Sequence, residues 1–216
     1  MYKRHVVVVE DESFLRSLLS EYLEQAGFIV TPAATAADAR RAIKAVDPDA
    51  VVLDIDLGPG PTGLDIGEAL LAQSKEIAVV YLTALTDVRF TGSDSQKINP
   101  RAAFLNKTML TSSDLLIEAL EAALHGEDVS EYRHDRLSDR PLANLSLTQI
   151  QILKLIAEGK TNQQIADIRR RSLSATEATI ARAISALGLE QGTDINSRVL
   201  AATTFLSKSG LIRSAD

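Results

Sequence analysis

Four acidic residues stand at the ends of two apolar runs in the first half of the chain. Glu10 and Asp11 follow a run of four valines, and Asp54 and Asp56 close a later run rich in valine. Where such runs form neighbouring parallel strands, their carboxyl ends open into one crevice. Crowded carboxylates cannot all ionise unless a cation neutralises them, and hard oxygen ligands with open water positions suit octahedral Mg²⁺. The spacing therefore predicts a magnesium site.

A hydroxyl group and an ammonium group are expected to border the same crevice. Thr83 stands just past the fourth predicted strand and Lys107 just past the fifth. Each alone is ordinary, since most lysines and threonines are exposed. Around an Asp–Mg²⁺ pair, however, they suit phosphoryl transfer, in which charge on the equatorial oxygens must be neutralised. An aspartate can itself be the nucleophile of such a reaction and form an acyl phosphate.

The elements that position these groups alternate between β-rich runs and segments with a helical stripe. Four nearly unbroken apolar runs are typical of strands buried on both faces, and a weaker strand follows Gly27. The five predicted strands are 6–9, 28–31, 50–55, 77–82 and 102–105. Apolar residues between them recur every three or four positions, as in amphipathic helices. Five strands, each followed by a helix, predict an α/β fold with a doubly wound (βα)5, flavodoxin-like parallel sheet.

The last third of the chain has a different pattern. Residues 127–143 are polar and lack an apolar period, which predicts a linker. The pattern after them is wholly helical, and we expect a small all-α domain of four helices. Three capping-box candidates are Thr148 with Gln151, Thr161 with Gln164 and Ser174 with Glu177. The predicted division is 1–125 for the first domain, 126–143 for the linker and 144–216 for the helical domain.

Composition and charge exclude several classes of protein. The 216 residues include no cysteine, which rules out disulfide scaffolds, thiol nucleophiles and cysteine-ligated metal sites. Residues 1–143 hold 14 basic and 23 acidic side chains, a balance of −9, whereas residues 144–216 hold 9 and 6, a balance of +3. This indicates an acidic module joined to a mildly basic one. Because no apolar run approaches the ~20 residues of a membrane span, we expect a cytoplasmic protein with no membrane partner.

The motifs of the first domain resemble those of the receiver domain of bacterial two-component response regulators. The resemblance covers about residues 1–125, with each motif in order at the end of the appropriate strand. The matching residues are Glu10, Asp11, Asp54, Thr83, Ala84, Phe104 and Lys107. The resemblance implies that Asp54 is the phosphoacceptor, that a sensor histidine kinase is the partner, and that Mg²⁺ is the cofactor.

The resemblance also implies how the acidic residues share the metal. Asp11 and the backbone carbonyl of Asp56 would bind Mg²⁺ beside Asp54, and Glu10 would act through water. The four residues together are the expected metal site.

The remaining receiver residues are expected to sense the phosphoryl group. The resemblance implies that Thr83 and Lys107 contact the phosphoryl oxygens and that Phe104 takes the place of the aromatic switch residue. Two segments depart from the family. The loop at 57–63 is one residue longer than the commonest spacing, and residues 87–100, where the fourth helix belongs, are poor in helix formers. We expect that helix to be shortened or loosened.

The start of the helical region resembles a helix-turn-helix of the LuxR/NarL type. The match covers residues 147–166, of which 161–166 are the most specific part, and Ser172 falls at the N-cap of the recognition helix. A helix-turn-helix inserts this second helix into the major groove of double-stranded DNA. In the family the last helix often forms a dimer contact, which makes Phe205 and Leu206 candidates for the interface of a homodimer.

The predicted recognition helix departs from the family in charge. Glu177, Ala178 and Ala181 stand where the family carries lysines that anchor phosphates and bases. The phosphates would repel a carboxylate there, unless Glu177 instead closes a capping box with Ser174. The candidate DNA contacts are Arg169, Arg170, Arg171, Ser174, Glu177, Ala178 and Arg182. We expect DNA binding to be weak or atypical.

The chain as a whole is predicted to be a response regulator and not an enzyme, in which phosphorylation of Asp54 controls a DNA-binding transcriptional regulator. One alternative is that a degenerate helix-turn-helix binds a partner protein without specific DNA binding. A second is a phosphatase, because the segment 54–56 also resembles the Asp-x-Asp motif of haloacid-dehalogenase-type phosphatases. That family places the motif on its first strand and needs further aspartates after the lysine, whereas here the motif closes the third strand.

Overall fold

The chain forms two compact units. The computed structural model describes residues 3–58, 60–91, 98–110, 114–137, 142–189 and 196–210. The first unit contains the described residues of 1–84 and 98–135, and the second contains those of 85–97 and 136–216. Within these described ranges, no helix is long and apolar enough to cross a lipid bilayer.

A five-stranded parallel sheet lies at the centre of the first unit, in the order β2-β1-β3-β4-β5. Its strands are β1 (His5–Val9), β2 (Ile29–Ala33), β3 (Ala50–Leu53), β4 (Ala78–Thr83) and β5 (Ala103–Asn106). Its helices are α1 (Ser13–Gln25), α2 (Ala36–Val46), α3 (Gly63–Gln73) and α4 (Asp114–His125). The predicted fold class, a doubly wound parallel sheet, is confirmed.

The strands form because the sheet buries apolar residues on both faces. Every residue of β3, β4 and β5 is buried, which accounts for their unbroken apolar runs. Alternate side chains of a strand point to opposite faces. On one face, Val6 and Val8 of β1 share a core cluster with Leu23 of α1 and Leu120 of α4. The register of this sheet places the carboxyl ends of β1, β3, β4 and β5 along one edge.

The connection from β4 to β5 lacks the regular helix of the other connections in its described residues. A single 3-10 helix, Val88–Thr91, follows β4, and residues 92–97 lie outside the described ranges. The chain returns at residue 98 and enters β5. The poor helix formers of this stretch predicted such a shortened element, and the described residues agree with that expectation.

The segment that follows α4 packs against the sheet, although its polarity predicted a linker. Its described residues include two 3-10 helices, Ser130–Tyr132 and His134–Arg136, and a parallel bridge joins Arg133 to Phe104 of β5. The guanidinium group of Arg133 forms a bidentate ion pair with Asp135 at 2.7 and 2.8 Å, and both side chains are buried. Sequence periodicity missed this packing because the buried groups are charged and satisfy each other.

Four helices make up most of the described part of the second unit. They are α5 (Leu147–Ala157), α6 (Asn162–Arg169), α7 (Leu173–Ala186) and α8 (Ser197–Ser209). The predicted all-α region is therefore confirmed. Arg170 ends α6 in the left-handed conformation, at φ 50°, and Ser172 then caps α7 by accepting a hydrogen bond from the Ala175 amide.

Two of the three predicted capping boxes are wrong. The box of α6 is formed by Thr161 and Gln164 as predicted. The box of α5 lies two residues earlier than predicted, at Ser146 and Gln149. Ser174 lies inside α7 and does not form the predicted box with Glu177, because Ser172 already occupies the N-cap. Serines and threonines recur in these stretches, so local spacing alone could not select the residue at which each helix begins.

The buried ion pair between Arg133 and Asp135 yields a prediction about stability. Asp135→Asn leaves a buried guanidinium group without its counter-charge, and we expect it to lower the free energy of unfolding by roughly 3–5 kcal/mol. The matched control is Glu121→Gln, which removes the partly exposed partner of Arg4 and is expected to cost under about 1 kcal/mol. Urea denaturation of the full chain measures both. Equal losses in the two variants would contradict the assigned role of burial.

Candidate functional site

The sheet register brings the acidic residues of β1 and β3 to one crevice. The Asp54 amide donates a 2.8 Å hydrogen bond to the carbonyl oxygen of Val9, which places Asp54 beside the carboxyl end of β1. The Glu10 amide donates in turn to the carbonyl oxygen of Ala33 in β2 at 3.1 Å. The carboxyl ends of β1 and β3 therefore lie side by side, as the sequence predicted.

Three of the predicted metal residues form a cluster. Glu10, Asp11 and Asp54 each offer a carboxylate oxygen, and these oxygens lie within 4.8 Å of one another. Asp56 has an exposed side chain outside this group, and its backbone amide donates to Oδ1 of Asp54 at 3.2 Å. The Asp56 side chain therefore lies outside the carboxylate cluster, and metal binding by its backbone carbonyl stays a prediction.

Lys107 stands between the two buried carboxylates. It follows β5, and its Nζ lies 2.9 Å from Oδ2 of Asp54 and 2.6 Å from Oε2 of Glu10. One ammonium group cannot balance three carboxylates, so the crevice keeps an excess of negative charge. Hard oxygen ligands with an excess of negative charge fit a divalent cation such as Mg²⁺.

Burial and charge shift the pKa values of the three central groups. Burial and the neighbouring Asp54 carboxylate raise the pKa of Glu10 to about 7, against the opposing effect of Lys107. Burial likewise raises the pKa of Asp54, although Lys107 partly offsets it. The pKa of Lys107 is raised as well, because the carboxylates of Asp54 and Glu10 outweigh the effect of burial, which alone would lower it. Burial thus disfavours the charged form of both carboxylates, and a bound cation would favour it.

Thr83 and Phe104 occupy the two strands next to the crevice. Thr83 is the last residue of β4, is buried, and pairs with Asn106, the residue before Lys107. Phe104 is fully buried in β5 opposite Tyr81, and the two ring centroids are 6.4 Å apart. The Tyr81 hydroxyl donates to Glu68 of α3 at 3.3 Å. The predicted aromatic switch residue is thus packed inside the unit.

Two residues that shape the site escaped the sequence analysis. Gly63 begins α3 so close to the phosphoacceptor candidate that an added Cβ would lie 1.9 Å from the Asp54 carbonyl oxygen. Arg16 of α1 donates from Nη1 to the carbonyl oxygens of Glu10 and Asp11, at 2.7 and 3.1 Å. For Gly63, the sequence offers one weak indication, which is that a glycine follows the acidic loop. No sequence pattern pointed to the second.

The candidate DNA contacts lie on the second unit and are largely exposed. Ser174, Glu177, Ala178 and Arg182 are exposed on α7, and Arg170 and Arg171 are exposed in the turn before it. Oε1 of Glu177 accepts a 3.4 Å hydrogen bond from the side chain of Asn162 at the start of α6. Glu177 therefore has a partner on the neighbouring helix in place of the capping box.

Arg169 and Arg171 also line a cavity of about 560 Å³ within the second unit. Lys154 and Glu158 of α5 and Ile168 of α6 share its wall. Of the three consecutive arginines before α7, Arg169 and Arg171 therefore line this cavity, whereas Arg170 lies only in the exposed turn.

Comparisons with known proteins find similar sequences over both units. The family profile of the response regulator receiver domain matches residues 6–97. The nitrate/nitrite response regulator protein NarP of Escherichia coli K12 is 27% identical over 218 aligned positions, 95% of this chain and 95% of NarP. The transcriptional regulatory protein TdiR of Thauera aromatica is 26% identical over 207 positions, 95% of this chain and 89% of TdiR.

A solved structure shows the same fold at lower identity. RcsB from Salmonella enterica serovar Typhimurium, bound to promoter P1flhDC, has a TM-score of 0.61 and 17% identity, and the match covers 98% of this chain and 100% of RcsB.

The acidic crevice at the carboxyl edge of a doubly wound sheet, together with the profile match, defines the first unit as a receiver domain. Over most of its length the chain is similar to a nitrate/nitrite response regulator and to a transcriptional regulatory protein. These similarities agree with the family that the sequence motifs predicted.

The raised pKa of Glu10 predicts a pH dependence of stability. In the folded chain Glu10 holds its proton up to about pH 7, whereas an unfolded chain releases it near pH 4.5. The folded state binds more protons in this window, so without divalent cations stability falls as pH rises from about 4.5 to 7. We expect Glu10→Gln to raise the melting temperature at pH 8 in EDTA and to flatten this slope.

The control for this prediction is Glu12→Gln, which changes an exposed carboxylate two residues away and should leave the slope unchanged. Adding Mg²⁺ at pH 8 should stabilise the wild type more than Glu10→Gln. An identical pH profile for Glu10→Gln and the wild type would contradict the assigned burial of this charge.

Proposed function

We propose that Asp54 accepts a phosphoryl group from a sensor histidine kinase in a Mg²⁺-dependent reaction, and that this phosphorylation controls DNA binding by the C-terminal helices. The observation that carries the proposal is the buried Asp54 carboxylate, held beside Lys107 and two further carboxylates. The division into a receiver domain (1–125), a linker (126–143) and a helix-turn-helix domain (144–216) is part of the proposal.

The receiver residues divide the work of phosphoryl transfer. The Asp56 amide and the Lys107 ammonium group each hold one oxygen of Asp54, which orients the carboxylate for attack on phosphorus. The new O–P bond gives an acyl phosphate, and the bond to the donor breaks. Glu10, Asp11, Asp54 and the Asp56 carbonyl would hold Mg²⁺, with Glu10 acting through water. When bound, the ion neutralises charge on the transferred group.

Thr83 and Phe104 are proposed to sense the product. The phosphoryl oxygens attract the hydroxyl group of Thr83, and its movement opens space for the ring of Phe104 to turn. Phosphorylation would then shift an existing equilibrium between two packings and would not build a new fold. The buried position of both residues on adjacent strands supports this role, since packed interiors change between discrete arrangements.

DNA binding is proposed for α6 and α7, with a homodimer as the active form. The similarity to NarP and TdiR over most of the chain supports it, and so does the exposed face of α7. The candidate contacts are the seven residues predicted from the sequence. Because Ala178 and Ala181 offer no donors and Glu177 is anionic, each subunit alone is expected to bind duplex DNA weakly, so dimerisation supplies the useful affinity.

The phosphoacceptor assignment predicts the behaviour of two aspartate variants. We expect Asp54→Asn to take no phosphoryl group from acetyl phosphate and Mg²⁺, because the nucleophilic oxygen is gone. Asp56→Asn should still be phosphorylated, because only the backbone of Asp56 is used. Intact mass spectrometry distinguishes these outcomes, and wild type in EDTA should also stay unmodified. Phosphorylation of Asp54→Asn, or of wild type in EDTA, would overturn the assignment.

The anionic residue on α7 predicts a change in salt dependence. Glu177→Lys is expected to tighten binding of the full chain to nonspecific duplex DNA and to steepen its salt slope by roughly one ion. The control is Glu24→Lys, which makes the same change in charge at an exposed position of α1. It should have little effect on DNA affinity or on its salt slope. A salt titration of binding measures both. Tight wild-type binding with a steep slope that Glu177→Lys does not alter would refute the argument from repulsion.

A further inference from the structure

The short connection after β4 has an unusual location. Residues 85–91, here called the crossover segment, lie in the chain between two strands of the receiver sheet, yet they belong to the second compact unit. Thr86 makes two hydrogen bonds at the C-terminus of α8. Its amide donates to the carbonyl oxygen of Ser209 at 3.2 Å, and its hydroxyl donates to that of Lys208 at 2.9 Å. Both acceptors are backbone carbonyls in the last turn of α8.

Arg89 also donates to backbone carbonyls of the second unit, and it does so with a charged side chain. Its guanidinium group pairs with Asp87, at 2.6 Å from Nη2 and 2.9 Å from Nε to Oδ2. Its remaining donors reach the carbonyl oxygens of Leu142, at 3.2 Å, and Leu145, just before α5. Asp87 is fully buried. A buried carboxylate is tolerated because it is paired, so the pair and its carbonyl partners form one interdependent group.

The apolar side chains of the segment enter the core of the second unit. The ring of Phe90 meets the ring of Phe205 in α8 edge to face, with centroids 5.6 Å apart and an interplanar angle of 90°. Val88 and Phe90 are almost wholly buried. The segment is therefore packed into the unit as one of its structural elements, and it is more than a loop lying on its surface.

The covalent chain joins this segment to the phosphoacceptor site. Ala84 alone separates Thr83, the last residue of β4, from Leu85. Consecutive Cα atoms are about 3.8 Å apart, so a shift of Thr83 can displace Leu85 without any rearranged surface between folded parts. The peptide chain itself is the mechanical connection.

We propose that the crossover segment is a built-in ligand of the second unit, docked on Phe205, the C-terminus of α8 and the turn before α5, and that phosphorylation changes how firmly it is held. The coupling rests on the proposed phosphorylation of Asp54. The segment is the ligand of this surface because its side chains already donate to the carbonyls of Lys208 and Leu142 and pack against the ring of Phe205.

Hydrogen exchange in the full chain tests the docking. Arg89→Gln removes the guanidinium group from the carbonyls of residues 142 and 145, and we expect exchange in α8 and at 142–145 to become at least tenfold faster. The matched control is Arg101→Gln. Arg101 likewise donates to backbone carbonyls, those of Leu71 and Ser74 at 3.1 Å, but in the first unit. This control should leave α8 exchange unchanged.

Phe90→Leu provides a second, milder disruption, with Phe28→Leu as the control in the core of the first unit. We expect Phe90→Leu to speed exchange in α8 and Phe28→Leu to leave it unchanged. If neither Arg89→Gln nor Phe90→Leu speeds exchange in α8 beyond its control, the docking is overturned.

The coupling is tested with acetyl phosphate and Mg²⁺, with phosphorylation followed by intact mass. Phosphorylated wild type should change its exchange in α8, and this response should shrink at least threefold in Arg89→Gln and Phe90→Leu. No response in fully phosphorylated wild type, or the same response in the variants, overturns the coupling. A chain that takes no phosphoryl group overturns the proposed function and the coupling with it, while the unphosphorylated variants still decide the docking.

Discussion

The receiver site depends on the ammonium group of Lys107 between two buried carboxylates. Glu10 and Asp54 are nearly inaccessible to water, and burial raises the pKa of both. Without Lys107 the crevice would hold like charges with no counter-ion, which packed protein does not tolerate. The ammonium group compensates only in part, so the site remains short of positive charge. That deficit makes the place where three carboxylates meet suitable for a divalent cation.

The surrounding backbone is arranged to keep this crevice narrow. Gly63 lets the start of α3 touch the carbonyl of Asp54, a position that a Cβ would block. Arg16 holds the carbonyls of Glu10 and Asp11 from the other side. Both residues act on backbone, and neither offers a group to the carboxylate cluster. The position of the clustered carboxylates therefore depends on residues outside the cluster.

The second unit also contains a buried carboxylate whose charge a basic side chain balances. Arg89 satisfies carbonyls and a buried carboxylate, as Lys107 balances carboxylates in the receiver. The difference lies in its position along the chain, since Arg89 follows β4 of the receiver and packs within the helical unit. The chain thus passes from the end of β4, beside the acidic crevice, directly into the core of the unit proposed to bind DNA. This packing accounts for the lack of a regular helix in the described residues 85–91.

The sequence by itself determined where the strands fall along the chain, which residue types stand at their ends and the helical character of the C-terminal region, because apolar periodicity and residue type are local properties. Only the tertiary structure decided that the Asp56 side chain stays outside the carboxylate cluster, that Arg133 is buried with Asp135, and that residues 85–91 join the second unit. Each depends on how the folded chain buries these groups and on which side chains it brings beside them. A polar stretch has the same sequence pattern whether water or an opposite charge satisfies it.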